Sequence, residues 1–442
     1  MEEANAQAPR PRRFPFLGLG ILILAVTLAA LVFTSRGRSF LREFTPEPKV
    51  KEVEKLVEVA PDPEPEPDLP VGVSATAGGD IRVMSTGITF DSRVEFPSGG
   101  SANSLRTRDD SYKAEYTLKA TLPSAATSLE ELEQATPGLG RILPGLEAML
   151  EEAKVSKYFH RLYENKSDRL KKNAPLLNKL LSRHNFYDCN TILNLEGESG
   201  RKVLLLQGDM DVVSDGSDGD RLAEMPDEIV NSTHYQPFTS YGWPKQSDRE
   251  NPMVAGWRKR IGNADRELAD PQTSTERAAW LRGRKKYLQR GIEDMQARSF
   301  LIAEYDPFIV LPVNVITDSE NPYAGRAGDY AAVVYAGKIY PAIVGDGGPT
   351  FKIGEGSLRL ARALDERASP YRRPVSSLGV TYIVFPSSRG PRQAPDYEAW
   401  RGKVGSLIDE IGGLGEGVRL ESWKNTLPPT DQEAGEEPGE AG

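Results

Sequence analysis

The stretch YAAVVYAGKIYPAIVGDGGPTFKIGEGS, Tyr330–Ser357, decides the reading of this chain. Tyr330–Tyr335 and Lys338–Val344 are short runs rich in β-branched and aromatic residues, and Ala336-Gly337 between them predicts a two-residue hairpin turn. The second strand delivers Asp346 to its end, where Gly347-Gly348-Pro349 predicts a tight turn. Glu355 follows, bracketed by Gly354 and Gly356, and Ser357 is placed to N-cap a helix that turns Leu358, Ala361 and Leu364 inward. Glycines beside a carboxylate let a ligand approach without obstruction. Two carboxylates separated by such a turn suit general acid–base work. They also have a plain explanation, since aspartate is an ordinary turn residue and a glutamate before a helix favours its N-terminus.

Outward from this stretch, Val203–Leu206, Phe308–Val315 and Val380–Phe385 read as further short strands. The expected fold class is α+β: a mostly β, barrel-like catalytic core with added helices, spanning residues 185–424. A charged helical insertion at about 250–298 interrupts the strands, with Ala279, Trp280 and Tyr287 as its expected core-facing residues. Residues 73–184 read as a separate small strand-and-helix module with no chemistry visible in it. There, 112–122 alternate in the manner of a half-buried strand, Ser128 with Glu131 forms a capping-box pattern, and a helical stretch runs from about 156 to 183 with Pro175 as a break.

The N-terminal part has a different character. After a short basic segment, 1–13, an uncharged run from Phe14 to Phe33 has the length of a membrane-spanning helix, about 20 residues at roughly 1.5 Å each. Arg36-Gly37-Arg38 follows with no small-residue cleavage site, so an uncleaved anchor is expected at 14–33. A Pro/Glu-rich spacer, 34–72, and an acidic tail, 425–442, hold most of the formal net charge of −9. The remainder is close to neutral and gives no support for nucleic-acid binding. Cys189 is the single cysteine, which excludes an internal disulfide, and its apolar, aromatic setting suits a packing thiol.

The Asp346-Gly-Gly-Pro349 and Gly354-Glu-Gly-Ser357 pattern resembles the signature of the glycoside hydrolase family 75 chitosanases. Three further segments resemble family blocks in the same order: Gly208–Gly216, Tyr235–Thr239 and Pro307–Pro312. The likeness spans about residues 203–385. It implies endo-hydrolysis of β-1,4 bonds in chitosan with inversion, Asp346 and Glu355 as the catalytic pair, and no cofactor. A free 2-amine offers none of the assistance that the N-acetyl oxygen of chitin gives, so the enzyme must supply both acid and base. Which carboxylate is acid is open: a helix N-terminus favours ionised Glu355, and burial reverses that. The anchor, the 73–184 module and the insertion depart from the family pattern.

Asp209, Asp211, Asp215, Asp218 and Asp220 suggest calcium, but Val213 and Ser214 stand where the EF-hand spacing needs a ligand and a glycine, so no metal is assigned. Attraction of carboxylates for a cationic sugar instead assigns Asp209, Asp211 and Asp215 to substrate binding, and the family-like block Tyr235–Thr239 adds Tyr235 and Gln236 to them as what the resemblance implies. A solvated loop is the alternative for the aspartates. His160, His184 and His234 are too scattered for a metal site. Trp243 either stacks on a sugar ring or packs in the core. The expected partners are a chitosan-like polysaccharide and, through the N-terminal helix, a membrane, with the hydrolase outside the cytoplasm. The competing reading is a non-catalytic glycan-binding or cell-envelope scaffold protein that keeps the fold.

Overall fold

The structure is a computed structural model that describes residues 124–173 and 189–428, and the backbone of 88–95 and 113–120. The Phe14–Phe33 run, the Pro/Glu spacer, Pro175, His184 and the acidic tail from residue 429 lie outside the described residues. Among the described residues no helix is long and apolar enough to cross a membrane.

Among the described residues the strands, in chain order, are β1 Ile88–Glu95, β2 Lys113–Ala120, β3 Lys154–Val155, β4 Cys189–Glu196, β5 Lys202–Val213 and β6 Gly242–Pro244, then β7 Arg298–Phe300, β8 Phe308–Pro312, β9 Tyr330–Tyr335, β10 Lys338–Gly348, β11 Glu355–Ser357 and β12 Val375–Val384. β1 and β2 pair antiparallel, so Lys113–Ala120 within the alternating stretch form a strand. The main sheet runs β11-β8-β10-β9-β12-β5, and β11 pairs again with β5, closing a six-stranded barrel. Closure is possible because β5 is long enough to use one edge twice. β4 pairs with it along Lys202–Gly208, and β11 takes the same strand from Asp211 to Val213.

The apolar runs in these strands are continuous because both faces of the sheet are covered. Leu204, Leu206, Val333, Tyr382 and Val384 belong to one core cluster, while their neighbours Val203, Leu205, Val334, Ile383 and Phe385 belong to another. The second cluster is completed by Leu132, Leu139, Ile142, Leu146 and Met149, together with Val404, Leu407 and Ile408 of the helix Tyr397–Asp409. The helices of 124–173, expected in a module of their own, therefore share the hydrophobic core of the barrel. Their separate appearance in sequence reflects only the absence of chemistry in them. The capping box is present, with Glu131 N–H donating to Ser128 Oγ and Ser128 N–H to Glu131 Oε2.

The hairpin turn between β9 and β10 forms as its residues suggest, with Ala336 at φ 48° and Gly337 at φ 80°, the left-handed pair that a two-residue turn requires. The insertion forms two helices, Met253–Ala269 and Thr275–Ala297, around a satellite core of Val230, Met253, Val254, Trp257, Leu288, Met295 and Phe300. Its expected core-facing residues are wrong. Ala279 is exposed, and Trp280 and Tyr287 are 39% and 40% exposed. The buried stripe is Leu281, Leu288, Gly291 and Met295, and Gly291 admits the Trp257 ring where a Cβ would stand 2.1 Å from it. Side-chain size pointed to Trp280 and Tyr287, but the i, i+7, i+14 spacing of Leu281, Leu288 and Met295 selects the face.

Candidate active site

Asp346 lies inside β10, not at its end: the strand continues through Gly347 and Gly348, which pair with Leu311 and Pro312 of β8. The expected turn at Gly347-Gly348-Pro349 is displaced because these residues still carry ladder hydrogen bonds. A register shift between Val344 and Asp346 puts a bulge at Gly345. A Cβ at Gly345 would lie 2.5 Å from the Phe308 ring, so glycine is needed for the close approach of the two strands. The Gly345 carbonyl accepts from Tyr241 N–H at 2.8 Å, which draws the Thr239–Tyr241 segment alongside the bulge. Asp346 Oδ1 then accepts from Ser240 N–H at 2.9 Å, from Ser240 Oγ–H at 2.6 Å and from Gly347 N–H at 2.8 Å. Arg392 donates to the Ser240 carbonyl at 2.9 Å and fixes the segment from its other side.

Glu355 opens β11, a three-residue strand whose glycine-flanked sequence carries no strand pattern. It is paired with Val310 of β8 on one side and with Asp211 of β5 on the other. Asp346 is paired with the same Val310. Laterally paired residues project to one face of a sheet. Asp211, Glu355, Val310 and Asp346 therefore form a row across four strands. Gly348 completes the floor of this row, since a Cβ there would stand 2.8 Å from Glu355 Oε2 and 3.0 Å from Val310 Cγ1. As expected, Ser357 N-caps the following helix, Leu358–Leu364, accepting from Leu360 N–H at 3.3 Å, and Leu358 and Ala361 are buried.

Two cations serve the row. Lys352 Nζ lies 2.6 Å from Glu355 Oε1 and 2.7 Å from Asp211 Oδ2. Arg373 lies 2.6 Å from Asp209 Oδ2 and 3.5 Å from Asp211 Oδ2. Three carboxyls, those of Asp209, Asp211 and Glu355, thus share two cations, which favours one of the three keeping its proton. Burial opposes the Asp211 charge, but Lys352 and Arg373 outweigh it and bring its pKa down to about 2. Burial likewise opposes the Lys352 charge, and the Glu355 and Asp211 carboxylates overcome it and raise the lysine. Glu355 goes the other way: its burial is the dominant effect and raises it, Lys352 offsets this in part, and the Asp211 and Asp346 charges raise it further. Within the row, Asp211 is thus held well below the usual carboxylate range and Glu355 is pushed above it.

The residues assigned to substrate binding separate into two places. Asp209 is buried in the barrel wall against Arg373, its carbonyl accepting from Tyr382 Oη–H at 2.7 Å, and Asp211 is tied to Lys352. Asp215, Tyr235 and Gln236 meet one another in the loops beyond β5. Gln236 N–H donates to Asp215 Oδ1 at 3.2 Å, and Tyr235 Oη–H to the Gly216 carbonyl at 2.6 Å. Asp218 and Asp220 diverge from this cluster: Asp218 pairs with Arg221, and Asp220 with Lys245 at 3.2 Å. Among the described residues no group of three or more His, Cys, Asp or Glu side chains could hold a metal ion. Trp243 packs in the core, 2% exposed, with the Arg221 guanidinium 5.1 Å from its ring centroid. His160 and His234 are exposed, and Cys189 is buried.

Sequence reasoning missed Ser240, Lys352 and Arg373. Lys352 had a signal, standing three residues before Glu355. Ser240 and Arg373 had none, because they come to the row from loops distant in sequence. Residues 210–418 match the family model described as fungal chitosanase of glycosyl hydrolase group 75. None of the curated proteins compared matches the chain. The matched residues contain Asp211, Ser240, Val310, Asp346, Lys352, Glu355 and Arg373, which is every member of the row and its hydrogen-bonding shell except Asp209, and they identify the protein as a chitosanase-like glycoside hydrolase.

Proposed function

We propose that the enzyme cleaves β-1,4 bonds within chitosan or a related amino-sugar polymer by inversion, with Glu355 as general acid and Asp346 as general base. The observation that carries this reading is the shared pairing of both carboxylates with Val310. Two strand spacings separate their backbones, about 9–10 Å. Inverting glycosidases hold their carboxyls about 6.5–9.5 Å apart, with room for a water between them. Burial raises Glu355, which suits a group that must arrive protonated and give its proton to the leaving oxygen. Asp346 is oriented by three hydrogen bonds to one oxygen, which suits a carboxylate that accepts a proton from water with its other oxygen.

Asp215, Tyr235 and Gln236 remain the residues that would meet the sugar outside the reacting bond, since they form a joint polar cluster in the loops. Asp209 and Asp211 would act on substrate through their field and not by direct contact, being held by Arg373 and Lys352. The uncharged run Phe14–Phe33 supports tethering of the hydrolase to a membrane, and a polymer substrate supports its position outside the cytoplasm.

The test is reducing-end release from a panel of chitosans of graded acetylation, chitin oligomers and other amino-sugar polymers, with NMR of the first products. Release should rise with deacetylation, and the α-anomer should appear first. A β-anomer first would assign the enzyme to the retaining class, and release from N-acetylated polymer alone would exclude chitosan as substrate.

A further inference from the structure

We infer that the helix Lys157–Asn173, which lies outside the family-matched residues 210–418, is a working part of the hydrolase: Asn165 and Arg169 grip the turn between β10 and β11 and so hold Lys352 against Glu355. The inference rests on Glu355 being the general acid. Asn165 Nδ2 donates to the Thr350 carbonyl at 3.0 Å. One helical turn further on, the Arg169 guanidinium lies over the Phe351 ring, 4.0 Å from its centroid. The next residue in the chain is Lys352, whose ammonium bridges Asp211 and Glu355. The helix itself is anchored by Tyr158, Phe159, Leu162 and Tyr163, all buried in the barrel's core cluster. The clamp is thus a rigid element seated on the core and bonded to two consecutive residues of a short, glycine-ended turn.

The turn needs such support. It leaves β10 after Gly348 and re-enters the barrel at Gly354, whose φ of +74° marks a sharp change of direction. Between these points a long, flexible lysine must keep its ammonium within 2.6–2.7 Å of two carboxylates. Glu355 is faced by Lys352 from the turn, by Asp211 from β5, by Asp346 from β10 and, more remotely, by Arg373 and by Tyr382 of β12. Of these, Lys352 is the cation in direct contact. Moving it away leaves Glu355 facing Asp211 and Asp346, and both disfavour its ionised form. Asn165 and Arg169 are in this sense positioning residues that act through Lys352, and they set the pH at which the acid loses its proton.

The sign follows directly. A general acid works while protonated, so activity falls as pH rises through the pKa of Glu355. Lys352 favours the ionised form, and loosening it moves this basic limb to higher pH. The test is kcat/KM against pH for the full chain carrying Asn165→Ala, Phe351→Ala, both together, Lys352→Met or Glu355→Gln. Asn165→Ala and Phe351→Ala remove no charge, so a shifted limb in either reports the position of Lys352. Lys352→Met should move the basic limb up by about one pH unit or more. The clamp variants should move it the same way by less, and adding them to Lys352→Met should move it no further. A limb unmoved in both clamp variants while Glu355→Gln is inactive overturns the clamp and leaves the acid assignment standing. Near-wild-type turnover in Glu355→Gln overturns both. Asn165→Ala alone decides the matter if the double variant fails to fold.

Discussion

Asp346 and Glu355 are each paired in register with Val310, Asp346 from β10 and Glu355 from β11. Their separation is therefore set by two ladders of backbone hydrogen bonds and not by the turn that joins them in sequence. A carboxyl separation fixed in this way has little freedom to drift, which suits the proposed placing of a water between the two groups.

The glycines of the row should separate activity from stability. Gly348→Ala would put a methyl 2.8 Å from Glu355 Oε2, a contact the side chain can relieve by moving. It should lower kcat by at least about tenfold, as expected for a misplaced catalytic group, with a small change in urea midpoint. Gly354→Ala would put its methyl 2.4 Å from the Asp209 carbonyl oxygen and 2.7 Å from Asp209 Oδ1, at a positive φ. It should destabilise by about 1–3 kcal/mol or more. Chemical denaturation and turnover measured side by side check both.

Arg373→Met should be a stability variant first. The guanidinium is the partner of Asp209, whose side chain is buried in the barrel wall. Removing one member of a buried ion pair costs about 3–5 kcal/mol. Urea unfolding at neutral pH reads this directly. A change below about 1 kcal/mol would mean that water reaches Asp209.

Stability should also depend on pH through Glu355. Its pKa is raised in the folded state by burial, so the folded state binds its proton more tightly than the unfolded chain does. Stability from this group is fully present below its ordinary value, 4.5, and is lost as pH rises toward the folded value. Glu355→Gln mimics the protonated form. Its unfolding midpoint should match the wild type at acid pH and exceed it increasingly as pH rises. Parallel curves for the two proteins would show that the carboxyl is not perturbed.

Much of the local structure is legible from the residues. The Ala336-Gly337 turn, the Ser128–Glu131 capping box and the strands on either side of Asp346 follow from short-range pattern alone. The carboxylate pair is legible through its glycine setting and its resemblance to a known signature. What pattern does not carry is lateral pairing. β11 is three residues long and becomes a strand only because β5 and β8 offer it edges on both sides. Asp211 reaches the row by the same pairing, and Ser240 and Arg373 reach it from loops distant in sequence. The exposure of Trp280 and Tyr287 has a related cause: in a charged helix the buried face is chosen by spacing against the partner helix, and two large rings off that face stay at the surface.

The uncharged run Phe14–Phe33 predicts that the full-length protein partitions with membranes. It should sediment with the membrane fraction, resist high salt and be released by detergent. Release by salt alone would mean that the basic residues around the run, and not its apolar length, account for any association.

The most direct test of the account is turnover on chitosan by Asp346→Asn and Glu355→Gln. Both changes keep the shape of the side chain, and Asp346 and Glu355 both lie on the row and not in the apolar core. Each single variant should lower kcat by at least about a hundredfold, the scale of lost general acid–base catalysis. The double variant should be little worse than either, because the two groups act as a unit. Near-wild-type kcat in either single variant, with the protein folded, would remove that residue from the mechanism and contradict the assignment of the pair.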